Sequence, residues 1–239
     1  MFKLNEKALR QAQRKVAIFD IDGTIFRSSL LIELTEALVK EELFPHEAYT
    51  TYQKAYEKWH NREGSYEEYI GAVIEAFEQN IKGVKYADFL KLAKNVITAN
   101  HGRVYRYTRD LVKELQDKDY YLLAISNSPR EIVEEFGQTM GFNKVYGRVY
   151  EVGEDGIFTG NALYADLISD KAKILERAVE KGGLTLDDSI GVGDTESDIA
   201  FLEMVKTPIC FNPNQKLYTY AKHYGWQVIV ERKDVIYSL

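Results

Sequence analysis

Four aspartates of this 239-residue sequence stand in two short clusters, each directly after an apolar run. Asp20 and Asp22 follow V-A-I-F, and Asp194 and Asp198 follow S-I-G-V-G. Two like charges about 4 Å apart repel by roughly 4 kcal/mol at an effective dielectric constant near 20, so four carboxylates in one small volume require a counter-charge. An all-oxygen set of carboxylates suits magnesium. If the two clusters meet in the fold, they predict a Mg²⁺ site.

Several other residues are suited to holding a phosphate group. Gly23 and Thr24 turn the backbone after the first pair of aspartates, so that N–H groups there can face an anion. Ser126 and the amides near Asn127 come directly before a predicted helix, another place where N–H groups bind anions. Lys171 begins a further helix and can neutralise phosphate oxygens and hold a nucleophilic carboxylate. Metal, amides and lysine together are typical of a phosphoryl-transfer site.

These residues can act together only if the fold brings them to one place. From about residue 103 onwards, apolar runs of strand length alternate with helices, which are predicted around 131–140, 171–181 and 196–205. A hairpin is predicted between residues 145 and 159, and a last strand over 226–230. The alternation predicts an α/β protein with a Rossmann-like parallel sheet, in which ligands bind outside the carboxyl ends of the strands. The polar clusters that follow three of these strands should therefore meet at one edge.

A block of helices interrupts this alternation directly after the first strand. Between about residues 29 and 101, apolar residues recur at helical spacing, with no convincing strand among them. We therefore expect a core domain of residues 1–26 and 104–239 and an inserted all-helical cap domain of residues 27–103. Tyr69, Phe77 and Phe89 are predicted to form the core of the cap. The weaker candidates for contacting a leaving group are Arg27, Glu33, Trp59, His60 and Arg62.

Composition and charge limit the partners that the chain is expected to have. Hydrophobic residues make up 45% and charged residues 28% of the sequence, as in ordinary globular proteins. A net charge of −6 without a basic cluster indicates neither nucleic acid nor an anionic membrane as partner. The single cysteine, Cys210, excludes an intramolecular disulfide and is predicted to be buried and inert. Without a signal peptide or a membrane-spanning run, a soluble cytoplasmic protein is expected, of undetermined oligomeric state.

As an ordered set, the motifs resemble those of the haloacid dehalogenase-like (HAD) hydrolase superfamily. They are D-I-D-G-T at residues 20–24, Ser126 of S-N-S, K-A-K-I-L at 171–175 and G-D-T-E-S-D at 193–198. Within the superfamily, the chain is similar to the branch of phosphoserine phosphatase, which carries a helical cap after the first strand. The resemblance implies a HAD-like α/β fold and a phosphatase that depends on Mg²⁺.

The resemblance also implies a role for each residue of the motifs. Asp20 would be the nucleophile that forms an aspartyl-phosphate intermediate, and Asp22 would act as general acid and then as general base. Asp20, the backbone carbonyl of Asp22 and Asp194 would bind the metal, with Asp198 in support through water or a hydrogen bond. The phosphate would be bound by Thr24, Ser126 and Lys171, and Lys171 would also orient Asp20.

The predicted function is therefore hydrolysis of a phosphomonoester, with a small phosphorylated metabolite as substrate. Asp22 favours a phosphatase or phosphotransferase over a dehalogenase, because dehalogenases lack an aspartate at this position. Two alternatives stay open. One is a phosphotransferase of the same fold, in which an acceptor alcohol takes the phosphoryl group. The other is a non-catalytic HAD-like protein that binds a phosphate ligand or a partner.

Overall fold

The computed structural model describes residues 13–239, and its centre is one sheet of eight strands in the order β4-β3-β2-β1-β5-β6-β7-β8. The six strands from β3 to β7 in this order are parallel, and β4 and β8 pair antiparallel at the edges. The α/β class and the parallel sheet are as predicted. The strands are β1 (Lys15–Asp20), β2 (Tyr121–Pro129), β3 (Lys144–Val152), β4 (Phe158–Leu163), β5 (Thr185–Gly193), β6 (Thr207–Phe211), β7 (Gln227–Arg232) and β8 (Val235–Ser238). Residues 1–12 of the predicted core domain lie outside the described residues.

Helices cover both faces of the sheet, which explains the continuous apolar character of β1. Ala17 and Phe19 contribute to one hydrophobic cluster, whereas Val16 and Ile18 contribute to the cluster on the opposite face. Of the helices in the described part of the chain, none has both the length and the apolar character needed to cross a bilayer. The helices are α1 (Leu30–Lys40), α2 (Glu47–His60), α3 (Tyr66–Asn80), α4 (Tyr86–Asn100), α5 (Arg106–Asp117), α6 (Arg130–Met140), α7 (Ala165–Ile168), α8 (Lys171–Gly182), α9 (Ile199–Leu202) and α10 (Gln215–Tyr224).

Helices α1 to α4 form the helical insert, residues 27–103, between β1 and α5. Its two connections lie side by side: the amide of Arg27 donates to the carbonyl of Arg103 at 2.8 Å, and Phe26 forms a β-bridge with Val104. A capping box between Ser65 and Glu68 begins α3. The residues predicted as the core of the cap are all buried: Tyr69, Phe77 and Phe89.

Several elements differ from the prediction, among them the unpredicted short helix α7. The helix predicted over 196–205 is a 3-10 turn, Glu196–Asp198, followed by the short α9, because the Asp198 carboxylate bends back to accept hydrogen bonds from the preceding amides and tightens the first turn. The unpredicted strand β8 pairs with β7 after a turn through Lys233 at a φ of 55°, where the sequence carries no glycine. Cys210 is buried, as predicted, and burial raises the pKa of its thiol to about 12.

Candidate active site

The carboxyl ends of β1, β2 and β5 bring the three polar clusters to one edge of the sheet. Asp20, the last residue of β1, pairs in register with Ile125, so Ser126 follows beside it on β2. On the other side, Phe19 pairs with Val192 of β5, which places Gly193 and Asp194 next to the end of β1. The adjacency predicted from three separate stretches of sequence is therefore present in the fold.

A buried lysine joins two of the aspartates. Nζ of Lys171, the first residue of α8, lies 2.6 Å from Oδ1 of Asp20 and 2.6 Å from Oδ1 of Asp198. The side chains of Lys171 and Asp198 are only 3% and 0% exposed, so this ion pair is shielded from solvent. Because removal of Lys171 would leave two buried carboxylates without a compensating charge, both aspartates depend on this lysine.

Two glycines allow the carboxylates to come this close to the backbone. A Cβ on Gly23, whose φ is +79°, would overlap the carboxylate of Asp194, and a Cβ on Gly193 would lie 2.5 Å from Cβ of Asp198. Oδ2 of Asp198 accepts hydrogen bonds from the amides of Asp194 and Thr195 at 3.0 and 3.1 Å. The position of Asp198 is therefore fixed on both sides, by Lys171 and by the backbone.

Burial and mutual repulsion oppose ionisation of the carboxylates. Burial, only partly offset by Lys171, raises the pKa of Asp20 to about 7, and the charge of Asp198 adds to the increase. Burial and the charges of Asp20 and Asp198 raise the pKa of Asp194 well above its ordinary value. Burial alone would lower the pKa of Lys171, but its two carboxylate partners raise it, so the lysine is protonated. One lysine does not balance the negative charge of this cluster.

The donor set fits a divalent cation. Oxygen atoms of Asp20, Asp194 and Asp198 all lie within 4.8 Å of one another. Oδ2 of Asp20 is buried and has no hydrogen-bond partner among residues 13–239, a costly state for a carboxylate oxygen. Hard oxygen ligands with surplus negative charge are what Mg²⁺ prefers. The side chain of Asp22 is outside this group, so only its backbone carbonyl is a candidate ligand.

The carboxylate of Asp22 points instead to the start of the helical insert and to β2. Its Oδ1 accepts a hydrogen bond from the amide of Leu30 at 2.5 Å. Its Oδ2 accepts from the hydroxyls of Ser126 at 2.5 Å and Ser128 at 2.9 Å. Ser128 was not predicted as a site residue, although residues two apart on an extended strand share a face, so its spacing from Ser126 is a readable signal.

The remaining predicted phosphate-binding residues differ in their surroundings. Thr24 is fully buried, and its hydroxyl has no hydrogen-bond partner within the described part of the chain. Asn127 is exposed, and α6 begins three residues later, after Pro129. The hydroxyl of Ser126 also accepts from the amide of Ser128 at 2.9 Å, so that amide is already engaged.

A cavity of about 810 Å³ separates the helical insert from this edge of the sheet. Four of the five weaker sequence candidates line it: Arg27, Glu33, Trp59 and Arg62. His60 is the exception, because its ring packs against Tyr56 with centroids 5.6 Å apart and does not contribute to the lining. The lining residues that sequence reasoning did not name for this role include Glu36, Tyr56, Tyr66, Tyr69, Arg103, Tyr105 and Asn212.

Comparison with known proteins agrees with this geometry. The family model of haloacid dehalogenase-like hydrolase matches residues 17–203. Phosphoserine phosphatase SerB1 of Mycobacterium tuberculosis is 24% identical over 219 residues, which cover 89% of this chain and 69% of that protein. Histidinol-phosphatase of Neisseria meningitidis is 25% identical over 224 residues, which cover 90% of this chain and 98% of that protein.

A solved structure described as a phospho-aspartyl intermediate analogue of phosphoserine phosphatase has a similar fold. The TM-score is 0.61 at 20% identity, and the match covers 93% of this chain and 95% of that chain. The family match extends from β1 to α9 and so includes the two aspartate clusters and Lys171. The chain belongs to the haloacid dehalogenase-like hydrolase family, in its phosphoserine-phosphatase-like branch, and is a phosphatase.

Proposed function

We propose that this phosphatase hydrolyses a phosphomonoester of a small metabolite with Mg²⁺ as cofactor, through an aspartyl-phosphate formed on Asp20. The observation that carries the proposal is the state of the Asp20 carboxylate. Lys171 holds Oδ1 at 2.6 Å, whereas the buried Oδ2 has no hydrogen-bond partner in residues 13–239. A carboxylate held through one oxygen is oriented, and its second oxygen is free for a metal or for phosphorus.

Asp20, Asp194 and the backbone carbonyl of Asp22 would hold the ion, and Asp198 would support it. When bound, Mg²⁺ supplies the positive charge that the carboxylates and the phosphate oxygens require. Lys171 supplies a further positive charge, and Asp198 keeps it beside Asp20 at 2.6 Å.

In the first half of the reaction, a carboxylate oxygen of Asp20 attacks phosphorus. The new oxygen–phosphorus bond forms as the bond from phosphorus to the ester oxygen breaks, and Asp22 donates a proton to that departing oxygen. The products of this half are a free alcohol and an acyl phosphate on Asp20. The groups assigned to the phosphate oxygens are Thr24, Ser126, Lys171 and the amides near Asn127.

In the second half, water replaces the alcohol. Asp22 accepts a proton from water, the water oxygen attacks phosphorus, and the bond to Asp20 breaks to release inorganic phosphate. In the structure, Asp22 is held as a hydrogen-bond acceptor by Leu30 of the helical insert and by Ser126 and Ser128 of the sheet. These hydrogen bonds mean that the helical insert and the sheet together position Asp22.

We further propose that the helical insert is a cap domain that excludes water and selects the leaving group. The support for this is the position of the cavity, whose lining combines Gly23 and Asp194 of the site with side chains of α1, α2 and α3. Its two connections run together at Phe26 and Val104, which is compatible with motion of the insert as a unit.

The test is hydrolysis of p-nitrophenyl phosphate and a panel of phosphomonoesters, with Mg²⁺ and with EDTA. We expect release of inorganic phosphate that requires the metal. If phosphate passed to an added alcohol in preference to water, the chain would be a phosphotransferase. If the purified protein with Mg²⁺ released no phosphate from any member of the panel, the proposed function would be wrong.

A further inference from the structure

A second cavity, of about 450 Å³, lies on the face of the sheet opposite to the helical insert. Ile168 and Ile174 of its lining belong to the hydrophobic cluster of Val16 and Ile18, whereas the buried apolar residues of the insert belong to the cluster of the other face. Strands β3 and β4 and helices α7 and α8 form its walls, and it shares no lining residue with the cavity at the active site. A small molecule bound here would therefore occupy a site separate from that of the phosphomonoester.

Three cationic side chains line this second cavity: Lys144 of β3, and Arg177 and Lys181 of α8. Arg177 and Lys181 are one helical turn apart, so both project from the same face of α8. None of the three forms an ion pair or a side-chain hydrogen bond with any of residues 13–239. No acidic side chain lines the cavity, although the whole chain carries a net charge of −6. This local excess of positive charge favours an anionic ligand.

Tyrosine rings and aliphatic side chains make up most of the remaining lining. Nζ of Lys144 lies 5.4 Å from the centre of the Tyr146 ring. Burial raises the pKa of Tyr146 and the charge of Arg177 opposes that rise, so this cation also lies near the ring. The floor is apolar, because Ile168 and Ile174 are buried there. The cavity thus combines an apolar surface for the body of a ligand with cations for a negatively charged group.

The ring of Tyr164, between β4 and α7, is 73% exposed although it lines this cavity. Its φ of 56° is in the left-handed region, which residues with a Cβ rarely adopt. The ring packs against no other aromatic ring among the described residues, whereas the exposed Tyr224 packs against Tyr220 and Trp226. A strained backbone that presents a large ring beside a cavity indicates a binding role for that ring.

From these features we infer that the second cavity binds an aromatic anion, a planar ring that carries a carboxylate or a phosphate group. Tyr146 and Tyr164 contact the ring, and Arg177 and Lys181 bind the charged group. A neutral apolar ligand would leave the cations without a partner, and an inorganic anion would leave the tyrosine rings and the aliphatic floor uncovered. This inference goes beyond the proposed function and does not depend on it, because the two cavities are separate.

Two naphthalene derivatives of the same shape test the inference. 2-Naphthoate carries a carboxylate, which 2-naphthamide replaces by a neutral amide. Binding to the full chain is measured by isothermal titration calorimetry in EDTA and low salt. We expect one 2-naphthoate to bind per chain, at least about tenfold more tightly than 2-naphthamide, because hydrogen bonds to charged groups are the stronger ones. Adenosine 5′-monophosphate is the third ligand: tighter binding than that of 2-naphthoate would assign a phosphate to the site, and weaker binding a carboxylate.

Variants locate the binding in this cavity. The double variant Arg177→Gln/Lys181→Gln should weaken binding of 2-naphthoate at least about tenfold and leave that of 2-naphthamide within about twofold. Tyr164→Ala should weaken binding of both ligands by about threefold or more, because both lose a ring contact. The matched control is Lys113→Gln/Lys222→Gln, which removes two exposed charges of α5 and α10 outside the cavity and should keep the wild-type affinities. Circular dichroism and the thermal midpoint establish that each variant is folded.

Four results would overturn the inference. They are equal affinity of the wild type for 2-naphthoate and 2-naphthamide, an equal loss of 2-naphthoate affinity in both double variants, and no saturable binding of 2-naphthoate or adenosine 5′-monophosphate to the wild type. The fourth is a dimer in sedimentation velocity that Arg177→Gln/Lys181→Gln dissociates, since this surface would then be an interface between copies of the chain. Hydrolysis of p-nitrophenyl phosphate is measured separately, so failure of the second site and failure of the proposed function are distinguishable.

Discussion

Replacing Asp20 with asparagine is expected to abolish turnover and, in the absence of metal, to stabilise the fold. Asp20 is only 6% exposed, and burial raises the pKa of its carboxyl from 3.8 to about 7 despite the contact with Lys171. At 1.36 kcal/mol per pKa unit, this difference corresponds to a cost of roughly 4 kcal/mol for the ionised form in the folded chain. Asparagine keeps the shape of the side chain without the charge.

The dependence on pH follows from the direction of this shift. Between about pH 4 and pH 7 the folded chain holds a proton on Asp20 that the unfolded chain has released, so the stability of the wild type falls as pH rises through this window. Above pH 7 the loss is complete, whereas near pH 4 the unfolded chain also keeps much of its proton and the loss is small. The free energy of unfolding of Asp20→Asn should therefore exceed that of the wild type by up to about 4 kcal/mol at pH 8 and by little near pH 4.

Urea denaturation in EDTA at pH 4 and pH 8 measures both values. Asp187→Asn is the control, because Asp187 is exposed and forms no ion pair with any described residue. A variant that is no more stable than the wild type at pH 8, or a difference that does not change with pH, would refute the reasoning. Phosphatase activity of Asp20→Asn near the wild-type rate would refute the nucleophile assignment.

Three further variants test other parts of the site. Lys171→Met should lower the free energy of unfolding, measured in urea, by about 3–5 kcal/mol. It should also lower kcat by about 10²–10³-fold. A free energy of unfolding within about 1 kcal/mol of the wild type would contradict the bridging role of Lys171. Mg²⁺ at 100 times its Kd should raise the free energy of unfolding of the wild type by about 2.7 kcal/mol. Asp194→Asn should remove most of this gain at the same Mg²⁺ concentration. A gain in Asp194→Asn equal to that of the wild type would exclude Asp194 as a ligand. Ser128→Ala should lower kcat about tenfold, because one hydrogen bond to a charged group is lost. Ser128→Thr keeps a hydroxyl and should restore kcat. An unchanged kcat in Ser128→Ala would contradict positioning of Asp22 by Ser128.

The convergence of the site could be predicted because it depends on β1, β2 and β5 ending at the same edge of the sheet. Apolar runs identify such strands from sequence, and the aspartates and Ser126 follow them directly. The close approach of Asp194 to the backbone at Gly23 also fits the D-I-D-G-T motif, because a side chain at this position would overlap the Asp194 carboxylate. These features are local in sequence and need only the parallel pairing of strands.

Contacts between distant segments could not be predicted in the same way. The pairing of Glu33 with Arg103 joins the two ends of the helical insert, and only the fold brings them together. The amide of Leu30 that binds Asp22 is a backbone group, which residue types do not reveal.

The assignment of Asp20 as nucleophile is tested most directly by trapping the acyl phosphate. The enzyme is mixed with Mg²⁺ and excess phosphomonoester, quenched in acid within one turnover, digested and examined by mass spectrometry. We predict one added phosphoryl group on the peptide that contains Asp20, present with Mg²⁺ and absent in Asp20→Asn. Turnover of the substrate without that adduct, or with the phosphoryl group on another residue, would contradict the proposed mechanism.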